Sequence, residues 1–341
     1  MHRRLPIVPP RLYARICAVA LGLLVLIVFT GAGVRLTGSG LGCPTWPECH
    51  GAVIQTQLST HGAIEYGNRL LTGVVAIGAV LAFLTAFLRR PFRRDLAILA
   101  ALMPLGVAGQ AVLGGMAVLY GLAPGWVMAH FLLSMAILAG AVTLAWRSSH
   151  EPTGDVTASR PVVLATRALV PLAAWVLFLG TVTTASGPHP GSAGTGQVVS
   201  RLHFEGGHTL VWMIHWHGRF STLLGLSAVA TWFLARRHGA PSSLRRPLTV
   251  LCGLLAAQGV VGFIQYETGL PSEVVWIHVV LATCTWLSVL WSVAAAGRLE
   301  PLTAAAGGRT VRASSARWPS SVQQPRSPSP RPAPRTPASG S

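Results

Sequence analysis

The sequence predicts an all-α integral membrane protein of eight transmembrane helices, arranged as two pseudo-symmetric four-helix bundles. Three observations carry that prediction. Of 341 residues, 51% are hydrophobic and only 10% charged, whereas a soluble domain carries about a quarter charged residues. The apolar residues run in long blocks rather than amphipathic stripes. A lipid-exposed backbone must satisfy its own hydrogen bonds, and blocks near twenty residues are too long for membrane strands, so the spans are helices. Finally, a segment of the first half recurs in the second, which pairs helices one to four with five to eight.

The eight blocks fall at 12–33, 63–88, 96–118, 125–147, 162–185, 209–235, 244–268 and 273–297. The first follows Arg3, Arg4, Arg11 and Arg15, as a secretory signal would, but no small-residue cleavage site stands out after it and seven more blocks follow. It is read as a retained span. The organisation is then a cytoplasmic N-terminus (1–11), an N-terminal bundle (12–147), a cytoplasmic linker (148–161), a C-terminal bundle (162–297) and a tail (298–341). An even number of spans puts both termini on one side.

Arginine distribution decides which side. All 26 basic residues are arginine, and 22 fall in the N-terminus, Arg89–Arg94, the Arg147–Arg167 region, Arg236–Arg246 or the tail from Arg298. Those are the segments on the N-terminal side, and the positive-inside rule places them in the cytoplasm of a plasma-membrane protein. The formal charge of +17 is therefore topological. Nucleic-acid binding is excluded as the reading of this charge, because it needs a basic patch with groove-reading elements on a folded domain. From about Leu302 the chain is rich in Pro, Ser, Ala and Arg, a composition that cannot offset its own ordering entropy. It reads as a disordered, variable tail without a specific role, the alternative being contact with anionic lipid headgroups.

The repeat is the strongest internal signal. "QAVLGGMAVLYGLAPGWVMAHFLLS" (Gln110–Ser134) matches "QGVVGFIQYETGLPSEVVWIHVVLA" (Gln258–Ala282), with the same Gln-to-His spacing and a "GL" at the same place. "VRLTGSG" from Val34 echoes "VTTASGPH" from Val182, each at the outer end of an odd-numbered span. Both halves start on the cytoplasmic side, so the repeats are parallel.

The outer loops and outer helix ends hold the chemistry. "TGSGLGCPTWPECHG" (Thr37–Gly51) opens the first outer loop, and Cys43 and Cys49 face an oxidising compartment there, as a disulfide site would. Such a bond either pins a lid or has a redox role. Cys17, Cys252 and Cys284 lie within spans. His130 and His278 are repeat mates, each about five residues into its helix, roughly 8 Å below the outer end at ~1.5 Å per residue. Helix six adds His215 and His217, and helix two adds His61, Glu65, Asn68 and Arg69. A lone histidine in a span can simply bond a neighbouring helix. Imidazoles at matched depth on facing helices are the usual clamp for a heme iron.

These residues resemble the heme A synthases of cytochrome oxidase assembly. The resemblance rests on "VRLTGSGLGCPTWPECHG" after the first span, "EYGNR" in the second, "Q-x-x-LGG" and "AHFLLS" in the third and fourth, and "TASGPH" after the fifth. It covers residues 12 to 297. It implies oxidation of the C8 methyl of heme O to a formyl group, with heme O from a heme O synthase, an unidentified electron acceptor, a resident heme B, and oxidase assembly factors as further partners. Residue by residue it implies His217 and His278 as axial ligands of heme B, His130 as ligand of the substrate heme, and Glu65 as catalytic carboxylate. Cys43 and Cys49 match the loop cysteines, and Arg35 and Arg69 are candidates for heme propionates. His217 is preferred over His215 because Arg219 follows it.

One departure stands out. The family pattern usually reads Glu-x-x-His-Arg in helix two, and this chain has Glu65-Tyr66-Gly67-Asn68-Arg69. Asparagine is a poor ligand for heme iron. The substrate site is then five-coordinate, holds water, or is closed by His61, which shares a helix face with Glu65 and Asn68. Glu65 itself is either catalytic or the structural ion-pair partner of Arg69. The rival functional classes are a bis-histidine membrane cytochrome, a heme chaperone and a transporter. A transporter of duplicated bundles would be expected to break a helix pair at mid-membrane.

Overall fold

The computed structural model describes residues 7–43, 45–49, 59–150, 158–192, 196–204 and 208–297. The expected tail (298–341), and the parts of the N-terminus and linker at 1–6 and 151–157, lie outside the described residues.

Eight α-helices account for nearly all of the structure: α1 Pro10–Leu36, α2 Thr60–Leu88, α3 Arg94–Leu119, α4 Pro124–Ser149, α5 Arg160–Ser186, α6 Thr209–Arg237, α7 Ser242–Glu267 and α8 Ser272–Ala296. Each contains one of the expected spans to within a few residues at either end. Among the described residues the sole extended pairing is an isolated bridge between Val8 and Arg89. Seven helices are long and apolar enough to cross a membrane, so the chain is a multi-pass membrane protein. The eighth, α6, equals them in length but carries His215, His217, Arg219, Arg236 and Arg237.

The helices close into two rings. In one, α1 packs on α2 and α4, and α3 on α2 and α4; in the other, α5 packs on α6 and α8, and α7 on α6 and α8. Helices α1 and α4 lie against α8, and α4 against α5, so the rings share one continuous apolar core. Small residues let the backbones approach, as membrane helices require: Ala79, Ala82, Ala86, Ala100, Ala228 and Ala235 are all buried. Two indoles join the halves, Trp276 Nε1 donating to Phe29 O (3.0 Å) and Trp286 Nε1 to Met135 O (2.9 Å).

The repeat is visible in backbone detail. After α3, Gly121 and Leu122 both take positive φ (59° and 56°), and after α7 Gly269 and Leu270 do the same (77° and 64°). In each turn the leucine N–H returns to a carbonyl five residues back, Ala117 or Gln265, capping the helix end and reversing the chain. A left-handed leucine is uncommon, and its recurrence at repeat-related positions marks two copies of one supersecondary unit.

Packing is uneven along the membrane normal. Helix α4 has no buried side chain before Met135, α8 none before Thr283, α7 none after Leu251, and α6 none between Met213 and Leu224. On these four helices buried side chains are thus sparse in the half next to the α3–α4 and α7–α8 turns, where a smaller cluster around Leu179, Val182 and Met213 is buried instead. That is the half in which His130, His217 and His278 lie.

Candidate functional site

In the C-terminal ring, His217 on α6 faces His278 on α8. His217 Nδ1 donates to Val176 O on α5 at 3.1 Å, which sets the tautomer and leaves Nε2 with a free lone pair. One turn along α5, a Cβ on Gly180 would stand 3.1 Å from His217 Cε1, so the glycine is the ring's seat. His278 lies against Gly262 in the same way, at 3.5 Å, with Gln258 Nε2 at 3.4 Å from its Nε2. The two ring centroids are 6.2 Å apart. Imidazoles on opposite faces of one metal, with bonds of about 2.0–2.1 Å each, have centroids roughly 6 Å apart. The observed spacing fits one iron between them.

The N-terminal ring repeats half of this. Gln110 Nε2 bonds His130 O and Ser134 Oγ, both at 2.9 Å, and a Cβ on Gly114 would lie 3.3 Å from His130 Cε1. Gln110, Gly114 and His130 thus correspond to Gln258, Gly262 and His278. Nδ1 of His130 and Nδ1 of His278 are both buried without a hydrogen-bond partner, a costly state that calls for a ligand on the ring. On α2, Asn68 accepts a 2.7 Å hydrogen bond from Thr30 Oγ1. The structure ties His61 to the loop instead, through a 3.0 Å bond between Nδ1 and Ser39 Oγ.

Above the N-terminal ring sits a stapled loop. Cys43 and Cys49 form a disulfide. Gly42 runs so close to the first turn of α2 that any Cβ there would strike His61 O. The Cys43 N–H donates to Glu65 Oε2 at 2.8 Å, and Arg69 donates to Glu65 Oε1 at 2.6 Å. The same guanidinium also holds the carbonyls of Cys43 (3.0 Å), Thr45 (2.8 Å) and Glu48 (3.0 Å). Trp46 lies on Gly115 of α3, where a Cβ would be 2.8 Å from the indole. The "GG" of the repeat therefore has two tasks, Gly114 seating His130 and Gly115 seating the lid.

Two expected residues lie elsewhere. His215 is exposed, its Nδ1 donating to Val211 O of its own helix at 2.9 Å, and it lines an open cleft with Arg219 and Tyr266. Arg35 reaches from the end of α1 to Thr184 O (3.2 Å) and His189 O (2.6 Å) across the junction of the halves. There it shares the Thr184 carbonyl with Arg201, a residue that sequence reasoning missed. Thr30 and Gly180 were missed too, since nothing in their local sequence marks them. Gly114 and Gly262 were within reach, as both stand four residues after the repeated glutamine.

The donors suit a macrocycle and not a bare ion. Among the described residues no three His, Cys, Asp or Glu side chains converge, whereas a porphyrin brings four of its iron's ligands with it and needs one or two imidazoles. Apolar side chains such as Leu179, Val182 and Met213 are buried at the same end as those imidazoles. Fold and site together define a multi-pass membrane protein of two homologous four-helix bundles, each with a glycine-seated histidine at one depth.

Comparison with known sequences names the family. Residues 14–190 match the COX15-CtaA family, described as cytochrome oxidase assembly protein, and the chain belongs to it. It is 29% identical over 296 residues to a protoheme IX farnesyltransferase of Thermus thermophilus, covering 81% of this chain and 47% of that one. It is 33% identical over 128 residues to the heme A synthase of Lysinibacillus sphaericus (37% and 41%). With the heme A synthase of Listeria monocytogenes it shares 27% identity over 270 residues (76% and 87%). The chain thus spans about half the length of the Thermus and Lysinibacillus relatives and most of the Listeria one.

Proposed function

We propose that this protein is a heme A synthase, which oxidises the C8 methyl of heme O to a formyl group for cytochrome oxidase. In this reading the C-terminal bundle holds heme B between His217 and His278, and the N-terminal bundle holds heme O on His130. The 6.2 Å separation of the His217 and His278 rings carries the assignment, supported by family membership and by relatives named heme A synthase.

When bound, heme B supplies one-electron chemistry. The residues of the chain do the rest. His217, oriented by Val176 O, and His278, seated on Gly262, would be the residues that hold heme B. His130 orients the substrate heme from one side. Arg69 and the Cys43 N–H hold Glu65 at a fixed point as an anion. Removing electrons from a methyl carbon builds positive charge beside the macrocycle, and a fixed carboxylate stabilises that charge and orients an incoming water. In the net change an oxygen from water enters and electrons and protons leave in equal number, so an electron acceptor outside the chain is required. The lid, docked through Trp46, covers this bundle.

A heme-prenylating enzyme is the supplier of heme O in this reading, supported by the Thermus relative's name and by the larger part of it that lies outside the match. Arginine placement supports cytoplasmic termini and a site near the outer face. The test is heme extraction from membranes of cells that make heme O, with and without this protein. Heme A appearing only with the protein supports the proposal. Heme O left unchanged beside bound heme points to a cytochrome or a chaperone instead.

A further inference from the structure

Thr30 and Asn68 occupy, in the first half, the places that Gly180 and His217 occupy in the second. Both ends of α5 (Arg160, Ser186) lie 150 residues beyond those of α1 (Pro10, Leu36), and both ends of α6 (Thr209, Arg237) lie 149 beyond those of α2 (Thr60, Leu88). This register pairs Thr30 with Gly180 and Asn68 with His217. The contacts agree, since His217 rests on Gly180 and Asn68 bonds Thr30.

The two halves differ by a coupled change. In the second, the imidazole uses the space left by the absent side chain at Gly180, and its Nδ1 takes the free carbonyl of Val176. In the first, threonine fills that space. Its hydroxyl is 3.2 Å from Leu26 O, the counterpart of Val176 O, and donates to Asn68 Oδ1 at 2.7 Å. An imidazole at position 68, placed as in His217, would meet the Thr30 side chain before it reached that carbonyl. With Oδ1 turned to Thr30, the Asn68 amide NH2 is directed away from it, and among the described residues that NH2 has no hydrogen-bond partner.

We propose that Thr30 and Asn68 form a matched pair that removes the second ligand of the N-terminal site. The substrate heme is then held by His130 alone, and its open face is served by the Asn68 NH2 as hydrogen-bond donor to a small anionic or oxygen ligand. This rests on the reading of the N-terminal bundle as the heme O site. The Thr30 bond is what keeps the donor nitrogen, and not the oxygen, on the heme side. A one-sided grip also lets the substrate heme leave, which the paired histidines of the other bundle prevent.

The test uses the full-length protein in detergent, loaded with heme, with spin state read by electron paramagnetic resonance and absorption. Azide serves as the probe of the open face. The expected result is one low-spin and one high-spin heme per chain, with azide binding the high-spin one. Asn68→Ala should weaken azide binding about tenfold, the size of one lost hydrogen bond to a charged group. Asn68→His alone should stay high-spin, and Thr30→Gly with Asn68→His should become low-spin and refuse azide. Two low-spin hemes in the unaltered protein, unchanged azide affinity in Asn68→Ala, or a low-spin Asn68→His single variant each overturn the pairing. Failure of the underlying reading looks different: a chain that takes up no second heme, or whose high-spin heme is untouched by His130→Ala, has no heme site in this bundle and loses both proposals. The spectrum of the unaltered protein decides the spin states even if a variant does not fold.

Discussion

Arg69 donates to Glu65 at 2.6 Å on one face of α2, and the same guanidinium holds four backbone carbonyls of the disulfide loop. One cation thus ties the buried carboxylate to the lid. Removing one partner of a buried ion pair costs about 3–5 kcal/mol. Arg69 keeps 19% of its side chain exposed and Glu65 7%, which sets the expectation for Arg69→Ala near the lower end. A fall in thermal unfolding temperature, with faster reduction of the Cys43–Cys49 bond, is the expected outcome. An unchanged lid would show that the carbonyl contacts do not hold it.

Glu65→Gln separates charge from bracing. The variant keeps the side chain's shape and loses the anion, so turnover should drop about a hundredfold, the scale of a lost electrostatic or acid–base group. The low-spin spectrum of the C-terminal bundle should stay as it is. Undiminished conversion of heme O would reduce Glu65 to a strut for the lid.

Seat glycines predict an order of sensitivity. The added Cβ would stand 3.1 Å from His217 Cε1 at Gly180, 3.3 Å from His130 Cε1 at Gly114 and 3.5 Å from His278 Cε1 at Gly262. Heme retention after purification should therefore fall most in Gly180→Ala and least in Gly262→Ala, because tighter contacts force larger shifts of the ring. The reverse order would mean the rings are not held by these seats.

The two histidines of α6 should part company. His278→Ala and His217→Ala should each abolish the low-spin spectrum of the C-terminal bundle, and His215→Ala should leave it intact, since its ring is exposed and bonded to Val211 O. A lost spectrum in His215→Ala would exchange the two assignments.

For the loop, an impermeant thiol reagent should label Cys43 and Cys49 only after reduction. Gly115→Val should make the disulfide easier to reduce, because its Cβ would stand 2.8 Å from the Trp46 ring. Cys43→Ala should weaken turnover without emptying the C-terminal heme, as the disulfide segment is held by Glu65 and Arg69 of α2 and by Gly115 of α3. Labelling before reduction would remove the disulfide from the argument.

What the amino-acid sequence determined by itself is whatever depends on local composition and spacing. Eight blocks of apolar residues have no soluble alternative, so the helices α1 to α8 and their order were legible. The recurrence of Gln110–His130 as Gln258–His278 announced two copies of one unit, and the outer loop's two cysteines announced a staple. The family could be read from motifs that lie in single stretches of chain. Tertiary structure alone decided which side chains meet. Thr30 and Asn68 are 38 residues apart, and Arg35 and His189 are 154 apart, separations at which hydrophobic period carries no information. Which of His215 and His217 meets a neighbouring helix depends on how α6 packs, and their positions two residues apart on one helix leave that undetermined in the sequence. The dual ties of Glu65, to Arg69 and to the Cys43 N–H, required the loop's path over α2, set by the close approach at Gly42. Contacts made across a bundle are consequences of packing, and packing is where the partners of these side chains were decided.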